Sequence, residues 1–259
     1  MAIVKEELEQ NLPACLLRYA KNPVEFAKDV LRVEPLQWQS EFMQAVANAR
    51  MGKPNSQDEL TKMRFAIRSG TGVGKTASVA MLTLWHLACF TDSKIAVTAP
   101  TAPQIKAVMW PELKRWISNI PSELKIIFPY DATGDQIRLY ENFAVARTAR
   151  EESPESFQGL HSKNIMLIAD EASGVPHAVY MAGQGVMSSE GAITIMIGNP
   201  TRAVGYFFDA FHGDSHLYWT KRVGCDMSDG VPCIPQGHEE EARREQLRVS
   251  GSCAGQLLP

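Results

Sequence analysis

Residues 69–76, with the sequence SGTGVGKT, combine glycines, a lysine and a threonine in an order that could bind phosphate. Glycines let successive backbone N–H groups turn inward around an anion, and a following helix points its positive end at the same place. The Lys75 ammonium would reach the β- and γ-phosphates of a nucleotide, and the Thr76 hydroxyl would ligate Mg²⁺. A glycine-rich turn with a chance Gly-Lys-Thr is the alternative. The predicted phosphate contacts are Ser69, Gly70, Thr71, Gly72, Val73, Gly74, Lys75 and Thr76.

An aspartate and a glutamate end a second apolar run, NIMLIADE at residues 164–171. At the end of a buried strand, Asp170 could hold Mg²⁺ through its water shell, and Glu171 could polarise an attacking water as a general base. A solvated strand end is the alternative for this pair alone. Together with the glycine-rich loop, the pair fits one nucleotide pocket, so the sequence predicts nucleotide hydrolysis with Mg²⁺.

Two amides and several arginines are weaker candidates. Gln39 could read the edge of adenine with a matched donor and acceptor, or could be an exposed helix glutamine. Asn199 could sense the γ-phosphate and pass its loss to a neighbouring segment, or could form an Asn-Pro turn. An arginine could stabilise transition-state charge from a neighbouring subunit, although a surface ion pair is the ordinary role. The candidates near strand ends and loops are Arg68, Arg147, Arg150 and Arg202.

Short apolar runs rich in β-branched residues alternate with helical patterns along the chain. Such runs are typical of strands buried on both faces of a parallel sheet. The main predicted strands are 63–68, 94–100, 164–171 and 192–200. The predicted helices are two within 22–50, the first opened by Asn22-Pro23, and three at 75–90, 102–118 and 176–189. This alternation predicts an α/β fold with a mostly parallel sheet flanked by helices.

Other segments complete the prediction. Additional strands are predicted at 125–130, 136–140 and 142–149, joined by the turn DATGD, and a last one at 217–223. The chain is then rich in Gly, Pro, Asp and Ser, and EEEARREQLR at 239–248 is predicted to be a helix.

The composition and the placement of charges do not fit a secreted or a membrane-spanning protein. The chain is 45% hydrophobic and 21% charged, with early charges and only short apolar stretches, so we expect a soluble, intracellular globular protein. Its net charge of −3 does not predict nucleic-acid binding over the whole surface, and the basic segments 114–116 and 220–222 are only local candidates. Five scattered cysteines without a Cys-x-x-Cys pair are expected to be reduced thiols.

Six motifs in this order resemble one family. They are PLQWQ, SGTGVGKT, VTAPTAPQ, ESFQGLHS, LIADEA and IGNPT, within residues 22–224. They are similar to the N-terminal ATPase domain of the large terminase subunit of tailed bacteriophages, the motor that drives viral DNA into a preformed capsid. Gly-Lys-Thr and Asp-Glu occur in many ATPases, whereas the order of all six motifs is much more specific. The resemblance implies a P-loop NTPase fold of the RecA-like, additional-strand class.

The resemblance also implies a role for the residues that match each motif. ATP and Mg²⁺ would be the ligands, with adenine contact by Gln39 and metal contact by Thr76 and Asp170. Glu171 would be catalytic with Lys75, and Asn199 would couple ATP hydrolysis to DNA. The candidates for an arginine acting in trans are Arg147 and Arg150. Unlike many members of the family, this chain has no arginine within residues 71–74, so a cis arginine role is in doubt.

Partners and domain organisation follow from the same resemblance. The implied partners are double-stranded DNA, further copies of the chain in a ring, the portal and the small terminase subunit, in the cytoplasm of a bacterial host and with no membrane. Residues 1–60 would form a helical segment that carries Gln39, and residues 61–224 the ATPase core. Residues 225–259 would be a linker and the start of a truncated or absent nuclease domain, so no nuclease activity is expected of this chain alone.

Two other functions remain open at this point. A helicase-like or remodelling ATPase on nucleic acid would use the same pocket, but would need a second RecA-like lobe. A nucleotide-dependent assembly switch would bind ATP with little turnover, and its function would not depend on Glu171.

Overall fold

Eight strands form one sheet in the computed structural model, which describes residues 2–147, 160–186 and 191–224. The strands are β1 (Arg64–Ser69), β2 (Ser93–Thr98), β3 (Asp131–Thr133), β4 (Gln136–Leu139), β5 (Asn142–Ala146), β6 (Asn164–Asp170), β7 (Ile193–Gly198) and β8 (Trp219–Val223). Their order across the sheet is β3-β4-β5-β2-β6-β7-β1-β8. All neighbouring pairs from β5 to β8 are parallel, whereas β4 pairs antiparallel with both β3 and β5. The predicted α/β fold with a mostly parallel sheet is confirmed.

The position of β7 decides the class of the sheet. It pairs with β6 on one side and with β1 on the other, with Asp170 opposite Ile197 and Arg68 opposite Gly198. An additional strand thus separates the strand that leads into the glycine-rich loop from the strand that ends at the Asp-Glu pair. Because the strands are parallel, their carboxyl ends lie at one edge of the sheet, where ligands bind in open α/β folds.

Helices cover both faces of the sheet. They are α1 (Ala2–Lys21), α2 (Pro23–Asp29), α3 (Gln37–Arg50), α4 (Lys75–Cys89), α5 (Ala102–Gln104), α6 (Trp110–Asn119), α7 (His177–Val186) and α8 (Tyr206–Asp209), with a π-helical turn (Ile105–Met109) between α5 and α6. The start of α2 agrees with its sequence signal, since the Asn22 side chain accepts a hydrogen bond from the Glu25 N–H and Pro23 occupies the first turn. Helix α1 departs from helical geometry at Asn11.

Two apolar clusters form the core, one on each face of the sheet. The larger cluster joins helices α1 to α4 and α6 to the sheet and contains Phe26, Phe42 and Trp85, all fully buried. The smaller cluster packs α7 and α8 against the opposite face through Val179 and Phe207. Strand β6 is buried along nearly its whole length, which explains its continuous apolar sequence. Among the described residues, no helix is both long enough and apolar enough to cross a membrane.

One predicted strand is wrong. Residues 125–130 do not pair with the sheet, because residues 121–128 form helical turns in which the Leu124 N–H bonds to the Pro121 carbonyl and the Phe128 N–H to the Leu124 carbonyl. Leu124 and Phe128 are buried at a helical spacing, whereas Ile126 is 77% exposed. The third strand is instead β3, which occupies the first half of the predicted DATGD turn.

Several predictions lie outside the described residues. They are Arg150, the end of the strand predicted at 142–149, most of the ESFQGLHS motif, the last residues of the helix predicted at 176–189, the segment 225–259 with its predicted helix at 239–248, and three of the five cysteines. The other two, Cys15 and Cys89, carry free thiols.

Candidate nucleotide site

The glycine-rich loop connects the end of β1 to the start of α4, as its sequence context predicts. Gly72 and Gly74 have φ angles of +82° and +84°, in the left-handed region that side chains with a Cβ rarely adopt. The backbone therefore turns sharply at Gly72 and again at Gly74, and helix α4 begins at Lys75. Consecutive N–H groups in such a turn, together with the helix N-terminus, form a positively polarised cradle suited to phosphate.

Lys75 is buried and joins the loop to the end of β7. Its Nζ donates to the Gly70 carbonyl oxygen and to Asn199 Oδ1, each at 2.6 Å. Asn199 in turn donates from Nδ2 to Thr71 Oγ1 at 3.2 Å. The predicted phosphate-binding lysine and the predicted coupling amide, 124 residues apart in sequence, are therefore direct neighbours.

A cleft of about 400 Å³ beside the loop is lined by both predicted metal ligands and by the predicted general base. Thr76, Asp170 and Glu171 all line it. Its remaining walls come from the TAPT segment, the helical residues after it and the loop that follows β7. The structure thus brings the two halves of the predicted pocket together.

Asp170 is the last residue of β6, and its side chain is buried. Burial, followed by the neighbouring Glu171 charge, raises the pKa of Asp170 to about 6, while a hydrogen bond from the Glu171 N–H and the Lys75 charge act in the opposite direction. A carboxylate held in this way gains from a nearby cation. The Thr76 hydroxyl and the Asp170 carboxylate are oxygen donors in one cleft, the ligand type that Mg²⁺ prefers, so these residues fit the ion.

Glu171 lies just beyond β6 in a strained backbone conformation, with φ +47° and ψ +46°. The end of β7 packs against this turn. A Cβ at Gly198 would lie 2.8 Å from the Ala172 nitrogen and 3.1 Å from the Glu171 Cα, so only glycine fits there. Gly198 was not among the residues predicted from the sequence, although its place before Asn199 at the end of an apolar run was a signal. Gly198 sets how closely β7 approaches the predicted general base.

The predicted adenine contact, Gln39, lies in the first turn of α3 and is buried. Its Nε2 donates to the Gly74 carbonyl at 2.9 Å, and its Oε1 accepts from the Leu36 N–H at 2.8 Å. The preceding residue, Trp38, donates from its indole nitrogen to the Val73 carbonyl at 3.2 Å. Both side chains contact the glycine-rich loop, a role that was not predicted for Trp38 from the sequence. Adenine contact by Gln39 stays a prediction.

None of the described candidate arginines is among the residues that line the cleft. The Arg68 guanidinium lies 4.7 Å from the centre of the Phe211 ring. Arg147 follows β5, and its N–H bonds to the Val97 carbonyl. Arg202 lines a separate cleft of about 680 Å³, and its N–H bonds to Ser173 Oγ. A transition-state role for any arginine stays a prediction.

The two basic segments proposed for DNA differ in their contacts. In 114–116, Lys114 is exposed, while Arg115 lies over the Trp116 ring and within 3.5 Å of Glu112. In 220–222, Lys221 is paired with Glu41 at 2.9 Å. DNA contact by either segment stays a prediction.

Comparison with known proteins supports the same family. A probable terminase large subunit of Enterobacteria phage P7 is 22% identical over 157 residues, which cover 57% of this chain and 31% of that protein. The ATPase domain of the Thermus phage P74-26 large terminase superposes with a TM-score of 0.50 at 12% identity, covering 83% of this chain and 93% of that domain. The chain has the fold of a large-terminase ATPase domain. The resemblance predicted from the motifs is confirmed.

A second solved structure shows the extent of the match. The large terminase of the thermophilic bacteriophage D6E, in complex with ADP, has a TM-score of 0.57 and 18% identity, covering 81% of this chain and 50% of that protein. The chain therefore spans about a third of the P7 protein and half of the D6E protein. No family model matches the sequence.

Proposed function

We propose that this chain is the ATP-hydrolysing motor domain of a viral terminase. The observation that carries the proposal is the single cleft lined by Thr76, Asp170 and Glu171, next to a loop whose lysine is bonded to Asn199. Nucleotide complexes of the D6E terminase, with ADP and with ATP-γ-S, support the choice of ATP. The topology of the sheet, with β7 between β1 and β6, fits this class of ATPase.

The proposed mechanism assigns one task to each group. The loop N–H groups and Lys75 bind the phosphates, and Lys75 also offsets charge that develops on the γ-phosphoryl group. Thr76 and Asp170 would hold Mg²⁺, which would supply further positive charge at the site. Glu171 accepts a proton from a water that attacks the γ-phosphorus, while the bond to the β–γ bridging oxygen breaks.

Coupling would pass through Asn199. Because Asn199 bonds both Lys75 and Thr71, any change in the position of Lys75 on loss of the γ-phosphate would also move the end of β7. The same strand packs through Gly198 on the turn that holds Glu171. The event at the phosphate and the position of the base are thus linked through one strand end.

Other assignments belong to the proposal at a finer level. Gln39 would contact adenine, since each of its amide atoms has a second hydrogen-bonding position beyond the bond it makes within the protein. Arg147 or Arg150 would act in trans within a homo-oligomeric ring on double-stranded DNA. The portal and the small terminase subunit would be the other partners, in the cytoplasm of the bacterial host.

An ATPase assay on two variants tests the proposal. Lys75→Ala should lose phosphate binding and turnover, whereas Glu171→Ala should still bind ATP but lose at least about 100-fold in kcat, the usual scale for a general base. Circular dichroism checks that both variants are folded. If both retain wild-type turnover, the pocket is wrongly assigned. Full function with Glu171→Ala would favour the assembly switch.

A second assay tests the ring. Specific activity should rise with protein concentration if a residue acts in trans, and linear double-stranded DNA should stimulate it. Equal stimulation by single-stranded DNA or RNA would favour a helicase-like enzyme instead.

A further inference from the structure

The first turn of α3 holds the outer side of the glycine-rich loop. Two consecutive side chains of this turn donate to two consecutive loop carbonyls, Trp38 to Val73 and Gln39 to Gly74. Both donors are buried, and the Trp38 side chain has no exposed surface. This double contact spans 35 residues of sequence and is distinct from the phosphate-binding face of the loop.

The geometry of the peptide bond turns this contact into control of the loop N–H groups. All peptide bonds of the described chain are trans, so each C=O points away from the N–H of the same peptide plane. The Val73 carbonyl shares its plane with the Gly74 N–H, and the Gly74 carbonyl with the Lys75 N–H. Holding these carbonyls on the α3 side therefore directs the two N–H groups to the opposite side, where phosphate would bind.

Trp38 contributes more than Gln39 to the orientation of these peptide planes. The Gly74 carbonyl also accepts the first hydrogen bond of α4, from the Ser78 N–H at 3.1 Å, so the helix itself fixes that plane. The Val73 carbonyl lies before the first helical bond and is held by the Trp38 indole. The neighbouring Gly72 and Gly74 are conformationally permissive, so the Val73–Gly74 plane has the most freedom to rotate if the indole bond is removed.

Helix α3 is a rigid support for this contact. Its Phe42 side chain packs against Phe65 of β1 and stacks on Trp219 of β8, with ring centres about 6 Å apart in each case. The bond from the Leu36 N–H to Gln39 Oε1 fixes the Gln39 amide, so that its nitrogen faces the loop. The donors are thus positioned from the sheet rather than from the loop.

We propose that Trp38, assisted by Gln39, is a positioning residue that aims the loop N–H groups at the phosphates of the bound nucleotide. The proposal rests on the proposed function in that it takes the loop to bind phosphate. The positioned N–H groups contact the phosphates and not the base, so the effect of Trp38 should be the same for adenine nucleotides, guanine nucleotides and inorganic pyrophosphate. Base selection by Gln39 is a separate property.

The test compares two tryptophan-to-phenylalanine variants of the whole chain. Trp38→Phe keeps a buried aromatic ring but removes the indole N–H and part of the side-chain volume. Trp85→Phe is the matched control, because Trp85 is also fully buried and its indole donates to the Tyr19 carbonyl at 2.7 Å, at the far end of α4. Calorimetry measures the Kd of ADP, GDP and pyrophosphate with Mg²⁺, and thermal unfolding measures the stability of each variant.

We expect Trp38→Phe to weaken all three ligands by the same factor, about three- to tenfold, the effect of losing one buried hydrogen bond. Trp85→Phe should lose similar stability and keep each Kd within about twofold. An unchanged pyrophosphate Kd in folded Trp38→Phe would overturn the proposal, as would an equal loss in Trp85→Phe.

If Trp38→Phe does not fold, the same binding measurements on Gln39→Met test the proposal. A weaker Kd for pyrophosphate, by about two- to threefold, would support positioning of the loop, because pyrophosphate has no base. A change confined to the ratio of ADP to GDP affinity would overturn positioning and assign Gln39 to the base alone. Failure of the proposed function looks different, since Lys75→Ala would then bind all three ligands as tightly as the wild type.

Discussion

Replacement of Gly198 by alanine tests how the end of β7 positions the predicted general base. The new methyl carbon would meet the Ala172 nitrogen at 2.8 Å and the Glu171 Cα at 3.1 Å. Both are backbone atoms, so no flexible side chain can yield. Ordinary contacts begin at 3.4 Å, so the turn that carries Glu171 must retreat by at least about 0.6 Å.

This displacement sets the expected magnitude. A misplacement of about 1 Å in an active site costs about 100-fold in rate, so we expect Gly198→Ala to lower kcat for ATP by about tenfold. Overpacking should also lower the free energy of unfolding by about 1–3 kcal/mol. The KM for ATP should change by less than about threefold, because the three heavy atoms nearest the new methyl group belong to Glu171 and Ala172 and not to the glycine-rich loop.

The assay is steady-state ATPase activity at a temperature where every variant is folded, with thermal unfolding measured in parallel. Gly134→Ala is the matched control, since a Cβ at Gly134 would have no heavy atom within 4 Å. It should keep wild-type kcat and stability. Wild-type kcat in Gly198→Ala would refute the argument, and so would the same loss of kcat in Gly134→Ala.

Two further variants probe the carboxylate and the amide at the same edge. Asp170→Asn should be inactive but more stable than the wild type. Burial raises the pKa of Asp170 from 3.8 to about 6, so the folded protein binds this proton more tightly than the unfolded chain. Ionisation of Asp170 therefore lowers the free energy of unfolding by up to about 3 kcal/mol. In EDTA, wild-type stability should fall relative to Asp170→Asn as pH rises from about 4 to 6 and then run parallel to it; parallel curves throughout would contradict the assignment. Asn199→Ala removes an acceptor for Lys75 and the bond to Thr71. Because these contacts connect β7 to the glycine-rich loop, the stimulation of the ATPase by DNA should be lost. The Kd of ADP should stay within about threefold of the wild-type value, the scale of one lost hydrogen bond. Undiminished stimulation by double-stranded DNA would rule out coupling through Asn199.

Local sequence patterns predicted most of the scaffold, because they carry the physical cause of each element. Buried parallel strands need apolar side chains on both faces, so β1, β2, β6 and β7 appeared as continuous apolar runs. The same reasoning failed at residues 125–130, where Leu124 and Phe128 are buried at a spacing that a short helical turn also satisfies.

The sequence by itself determined the chemistry available at the site: a glycine-rich loop before Lys75 and Thr76, and a carboxylate pair at a strand end. Parallel strands share one carboxyl edge, which was enough to place these groups in one cleft. Only the tertiary structure decided the contacts between distant segments, such as Lys75 with Asn199 and Trp38 with Val73. Such contacts depend on how closely strands and helices pack, as at Gly198 against Glu171, and that distance is fixed by the whole core rather than by any local pattern.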